Sequence, residues 1–185
     1  VLKQVAQEVT VCQKCQLHFG RKRAVPGEGP SNAKIMFIGE GPGFYENEQG
    51  RPFVGASGQF LEELLAGIGF KRQEVWIGNV VKCRPPGNRD PMPDEIEACR
   101  FYLDRQIELL NPKVVVTLGR YSMARWFPNA KISAIHGQPR KIEGRLIVPM
   151  FHPAAALHQP SLRKDVEADF QKLPEILTQF EQLDD

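Results

Sequence analysis

Nothing in this chain is long and apolar enough to read as a membrane span, and the stretch Val1 to Glu8 lacks the apolar centre of a secretion signal. No membrane partner is expected, and the expected location is cytoplasmic, on the nucleoid. No segment repeats and none is of low complexity, so the 185 residues are expected to form one domain, 1–185, with a full hydrophobic core. Strong net charge is also missing. At +2, the balance neither demands nor excludes nucleic acid, and any basic surface must be local. Cysteine is scarce: Cys12, Cys15, Cys83 and Cys99 are all there is. Without a secretion signal, disulfides are not expected and metal ligation leads. Cys12 and Cys15 form a C-x-x-C; Cys83 and Cys99 are a wide second pair. Four thiolates suit zinc or an iron–sulfur cluster about equally, and the wide pair counts mildly against zinc.

What is present is a short apolar run, Ile35 to Ile38, ending in Gly39-Glu40-Gly41-Pro42-Gly43. Strand, bare turn, then helix is the expected reading. Gly41 and Gly43 lack a Cβ, so a flat ligand can lie against the backbone. An ordinary tight turn would read the same way, so the rest of the chain has to decide. A P-loop would need a Lys-Ser/Thr pair that is missing, and Phe44 stands where a dinucleotide fingerprint has its third glycine.

The expected elements are a helix over 1–11, a loop over 16–33, a strand over 34–38, a long loop over 44–56 and a helix over 58–68. Then come a strand over 75–80, an extended proline-rich loop over 82–91, a helix capped by Asp94 and running to Leu110, and a strand over 114–118. A helix over 120–127, a strand over 146–150, a helix over 161–182 and an acidic tip at Asp184-Asp185 complete the chain. Strands alternating with helices predict an α/β fold, a three-layer α/β/α sandwich on a mainly parallel four-stranded sheet.

Glu40, Asn79 and His152 each follow a different strand, and the ends of a parallel sheet point one way. With Phe53 from the first long loop they describe a pocket holding an acid, an amide, an imidazole and an aromatic plate. The amide can pair with a base edge, the ring can stack, the imidazole suits a developing anion, and the carboxylate can position water. The chemistry reads as cleavage of a nucleoside bond.

Gly39 to Gly43, Gly50-Arg51-Pro52-Phe53-Val54-Gly55, Gly78 through Pro86, and His152-Pro153-Ala154-Ala155-Ala156-Leu157 resemble family 4 uracil-DNA glycosylases over nearly the whole chain. The resemblance implies a uracil-glycosylase fold and a [4Fe–4S] cluster on Cys12, Cys15, Cys83 and Cys99. It also implies DNA repair by release of free uracil; the DNA is expected to be single- or double-stranded and the enzyme a monomer. Uracil is expected against Gly39, Glu40, Gly41, Phe53, Asn79 and His152. Glu40, His152 and, second to Glu40, Glu46 are the expected catalytic groups, with Glu46 or Tyr45 excluding thymine. Ala156 and Leu157 are expected in a loop that wedges into DNA, and Arg51, Lys82, Arg84 and Arg89 near phosphates. Gly87-Asn88-Arg89-Asp90 lacks the histidine of relatives that capture DNA covalently, so no covalent capture is expected. The competing expectation is a catalytically inactive nucleic-acid-binding module on the same fold.

Overall fold

In the computed structural model, which describes residues 1–183 and side chains through residue 181, five strands form one sheet in the order β2-β1-β3-β5-β4. The strands are β1 (Ile35–Gly39), β2 (Trp76–Asn79), β3 (Val114–Leu118), β4 (Arg140–Ile142) and β5 (Arg145–Met150). The four predicted strands are all present and mutually parallel. β4 is an additional short antiparallel edge strand, joined to β5 through Glu143 and Gly144, both at positive φ. Its short, largely exposed sequence gave no apolar signal to read.

β1 and β3 are buried at every residue, as strands covered on both faces must be. The pleat then sorts their side chains. Ile35 and Phe37 pack on one face with α3 (Ala56–Ala66), α8 (Arg163–Gln171) and α9 (Leu173–Leu183), through Leu61, Leu65, Phe170 and Ile176. Met36 and Ile38 pack on the other with α4 (Pro93–Leu110), through Leu103, Ile107 and Leu110. α1 (Leu2–Thr10) lies on α4 and buries Val5 and Val9 beside Cys83 and Cys99. The remaining helices are short: α2 (Phe44–Gln49), α5 (Arg120–Met123), α6 (Ile132–Ile135) and α7 (Pro153–His158).

Several boundaries differ from expectation. Residues 44–49 are helical rather than loop, because Glu46 reaches back to the Gly43 N–H, 2.9 Å away, and closes a first turn. α4 starts one residue before Asp94. Met92 is its cap, Pro93 opens it, and Glu95 receives the Met92 N–H at 2.8 Å. The helix after Gly119 stops at Met123, and the closing helix is broken at Lys172, where Pro174 supplies no N–H to the turn before it. The stretch after His152 is the helix α7, with Pro153 at its first position. Asp184 and Asp185 lie outside the described residues.

Candidate active site and cysteine cavity

The chain leaves β1 for β2 on one side and later returns to β3 on the other, so the strand order reverses between β1 and β3. Open α/β sheets bind ligands at such a crevice. Here an open cavity of about 600 Å³ takes Glu40 from the end of β1, Asn79 from the end of β2 and His152 from the end of β5, with Gly41, Phe53 and Glu46 in its wall. All three predicted polar groups are therefore together. Gly119, at φ 95°, is not in the cavity wall but packs behind Glu40 and His152. A Cβ there would stand 2.9 Å from Glu40 Oε1 and 3.3 Å from the His152 Cβ.

Asn79 is buried, and its Oδ1 has no hydrogen-bond partner among the described residues. An acceptor left bare in protein costs roughly 1–3 kcal/mol, so this atom is waiting for a donor. Gly39 is not in the wall but beneath it. A Cβ there would lie 2.7 Å from both Asn79 Oδ1 and the Phe53 ring. The amide and the ring approach each other because residue 39 has no side chain.

His152 caps α7, its Nδ1 accepting the Ala154 N–H at 3.0 Å. The ring proton is thereby assigned to Nε2. Burial pushes this histidine down to about 4, against the opposing pull of Glu46, so it is a neutral donor near pH 7. The Phe53 ring is nearly parallel to it, 23° between planes and 5.5 Å between centroids. Burial, reinforced by Asp90, pushes the Glu40 carboxyl up; Arg120 acts the other way but is spent on Asp90, 2.7 Å away.

Glu46 is differently engaged. Its Oε1 receives Gly43 N–H, and its Oε2 receives Val54 N–H at 2.9 Å and Gly55 N–H at 2.8 Å. Three amides occupy the carboxylate, which ties the glycine turn to the Phe53 loop. Phe53 itself sits at φ 52°, a conformation costing a non-glycine residue roughly 1–2 kcal/mol. Tyr45, in the wall beside it, is exposed.

The other predicted contacts divide. Leu157 is 43% exposed, whereas Ala156 is packed in the core, because one face of the unexpected helix α7 must turn inward. Ala156 is therefore no wedge. Lys82 is also buried and cannot meet a phosphate: its Nζ donates to the Asn79 carbonyl and to Gln106 Oε1, both at 2.8 Å. Arg51 is paired with Glu28 and Arg89 with Glu95, while Arg84 bonds Asn88 Oδ1 at 2.7 Å and lies over the Phe44 ring. Asn88 and Asp90 line the cavity too, on a loop from which only Lys82, Arg84 and Arg89 were expected to reach DNA.

All four cysteines line a second, closed cavity of about 10 Å³, with Arg21, Lys82 and Tyr102. Arg21 donates to Cys83 Sγ at 3.1 Å and to the Cys12 carbonyl at 2.7 Å, and the Lys14 N–H points at Cys12 Sγ, 3.4 Å away. Burial pushes the Cys99 thiol up to about 11 and raises Cys15 and Cys83 as well. Among the described residues no three such side chains are gathered as the ligands of one metal ion are. Glu95, wholly buried, knots this region. It receives Arg89 at 2.8 and 2.7 Å, Gln16 Nε2 at 3.1 Å and the Met92 N–H, and falls to about 2, chiefly through Arg89.

A family model described as the Uracil DNA glycosylase superfamily matches residues 26–177. The chain is 47% identical to a type-4 uracil-DNA glycosylase of Sulfurisphaera tokodaii, covering 95% of this chain and 84% of that protein. It is 48% identical to the type-4 enzyme of Saccharolobus solfataricus, covering 94% and 85%. The corresponding figures for the type-4 enzyme of Archaeoglobus fulgidus are 44%, 95% and 92%.

Proposed function

This chain belongs to the uracil DNA glycosylase superfamily, and within it to the type-4 uracil-DNA glycosylases, and from that premise we infer how its residues excise uracil. The enzyme is a DNA repair glycosylase that hydrolyses the N-glycosidic bond of deoxyuridine in DNA and leaves an abasic site. The observation that carries the residue roles is the meeting of Glu40, Asn79, His152 and Phe53 in one cavity.

The target nucleotide leaves the stack, at a cost of a few kcal/mol. Leu157, exposed on α7 beside His152, fills the space it leaves in a duplex. The flipped base lies on Phe53 against Gly41, nearly parallel to the imidazole. Uracil N3–H donates to the bare Asn79 Oδ1, and the amide N–H₂ donates to O4. Cytosine offers the reverse pattern and leaves a group unpaired, at roughly 1–3 kcal/mol. As the C1′–N1 bond stretches, negative charge collects on O2, where the His152 Nε2–H donates to it. Glu40 faces the sugar and the incoming water, whose oxygen bonds C1′ and whose proton passes to the Glu40 carboxylate as uracil departs as the anion held by His152. Glu46 holds the loop in place, its oxygens being taken by three amides.

The cysteine cavity fits a [4Fe–4S] cluster in donor type. Four sulfurs line one cavity, and a guanidinium and a backbone N–H point at two of them. Cys12, Cys15, Cys83 and Cys99 would hold it, and when bound it supplies a covalent tie between three segments, with no electrons needed for hydrolysis. Lys82 connects that region to the base pocket through the Asn79 carbonyl. Among the described residues no helix is long and apolar enough to cross a membrane. We take the working enzyme to be a monomer on nucleoid DNA, accepting single and double strands.

The test is alkali cleavage of a labelled oligonucleotide containing one deoxyuridine. Incubation with the protein should yield a strand break at that position after alkali, and none with cytosine or thymine there. An oligonucleotide that is bound but left intact would favour the inactive module.

A further inference from the structure

Resting on the pocket reading above, we propose that Arg72, which lies outside the cavity, is a positioning residue that sets the Phe53 ring, and through it the stacked base. Phe53 is the one cavity residue whose backbone is in the left-handed region without being glycine or asparagine. Such a conformation persists only where surrounding groups over-determine it. Together with Glu46, Arg72 does so. Its side chain is 9% exposed, and its two terminal nitrogens donate to the consecutive carbonyls of Pro52 and Phe53.

Those two carbonyls belong to the two peptide planes that flank the Phe53 Cα. Fixing both planes fixes φ and ψ together, and with them the direction in which the ring leaves the chain. The second plane is gripped at both ends, since its N–H, that of Val54, goes to Glu46 Oε2. A cation and an anion thus hold one peptide between them. Gly58 lets α3 close from below: a Cβ there would stand 1.8 Å from the Phe53 carbonyl oxygen.

An arginine present for stability alone would not be placed this way. Arg72 does touch carboxylates, Glu28 at 3.2 Å and Glu62 at 3.6 Å, but its Nε–H is buried with no partner among the described residues. That donor is forgone so that the fork can face two carbonyls of a strained loop. A lysine would carry the same charge to Glu28 and Glu62 but has no planar fork.

The test is a double-mutant cycle on the maximal single-turnover rate of uracil release, using Arg72→Met, Phe53→Ala and the pair. Binding is measured separately by anisotropy with an oligonucleotide carrying 2′-fluorodeoxyuridine. Arg72→Met should lower the rate by about tenfold or more, since small misplacements cost that much, with DNA affinity unchanged. On the Phe53→Ala background the same change should do nothing further. Should Arg72→Met multiply in full onto Phe53→Ala, or leave the rate at wild type, the proposal is overturned. If Arg72→Met does not fold, Arg72→Lys takes its place in the cycle under the same criteria. Uracil release by the unaltered protein separates the two ideas: its absence ends the pocket reading, whereas release with an additive cycle ends only the role of Arg72.

Discussion

Asn79 and Cys83 are four residues apart in the chain but serve opposite kinds of enclosure. The Asn79 side is an open cleft of about 600 Å³, in which a buried amide oxygen has no partner and a histidine is held neutral with its Nε2–H available. The Cys83 side is closed to about 10 Å³, and its polar groups are taken up: Glu95 by Arg89, Met92 and Gln16, Lys82 by Asn79 and Gln106, Arg21 by Cys12 and Cys83. Unspent hydrogen-bonding capacity marks the place where a ligand comes and goes. Fully spent capacity marks the place that keeps the first one in shape.

If that contrast is right, the two regions break differently. The largest expected effect is on the open side. His152→Ala should cut the single-turnover rate about 10²- to 10³-fold, the usual cost of one donor to a developing anion, while the lost α7 cap lowers the melting temperature by only a few degrees, about 1 kcal/mol. A collapse of the melting temperature would mean that the cleft is structural after all. On the closed side the signature should invert. Cys99→Ser should remove the broad visible absorption of the anaerobically purified protein and lower its melting point by roughly 4–8 °C, about 2 kcal/mol. Protein that stays folded should still release uracil; a colourless but equally stable and active variant would refute the tie.

The pH dependence sharpens the contrast further. Glu40 must be ionised, and its surroundings raise its pKa, so activity should fall on acidification at a higher pH than an ordinary carboxylate would dictate. Below that midpoint kcat/KM should drop on the order of tenfold per pH unit, and Glu40→Gln should abolish the limb. His152 itself should contribute no break between pH 6 and 7, because it titrates only near 4. A smaller effect belongs to Leu157→Ala, which should slow release from duplex several-fold and from single strands hardly at all, at the scale of a few kcal/mol for unstacking. Equal slowing on both substrates would remove the wedge.

The strands, and with them the convergence of Glu40, Asn79 and His152, were legible because apolar runs of strand length carry a glycine, asparagine or histidine at or near their carboxyl ends. The four cysteines could be grouped only by chemistry, and their common cavity came from α1 lying on α4. What stayed illegible was the direction of side chains that carry charge. Lys82 looked like a surface cation and is buried, and Arg72, between α3 and β2, drew no reading at all and holds the Phe53 loop. Nothing in local composition distinguishes an arginine whose partners are the Pro52 and Phe53 carbonyls, or a lysine that folds back on the Asn79 carbonyl and reaches Gln106. Ala156 was misplaced for a related reason: Pro153 reads as loop punctuation yet also opens a helix, and a helix turns every third or fourth residue inward.

The central claim is that the bare Asn79 Oδ1 reads the N3–H of uracil. The most direct measurement compares inhibition of the enzyme by free uracil and by 3-methyluracil, which differ only at that hydrogen. Wild-type protein should bind 3-methyluracil about tenfold or more weakly, and Asn79→Ala should bind the two alike. Equal inhibition of the wild type by both compounds would contradict the assignment.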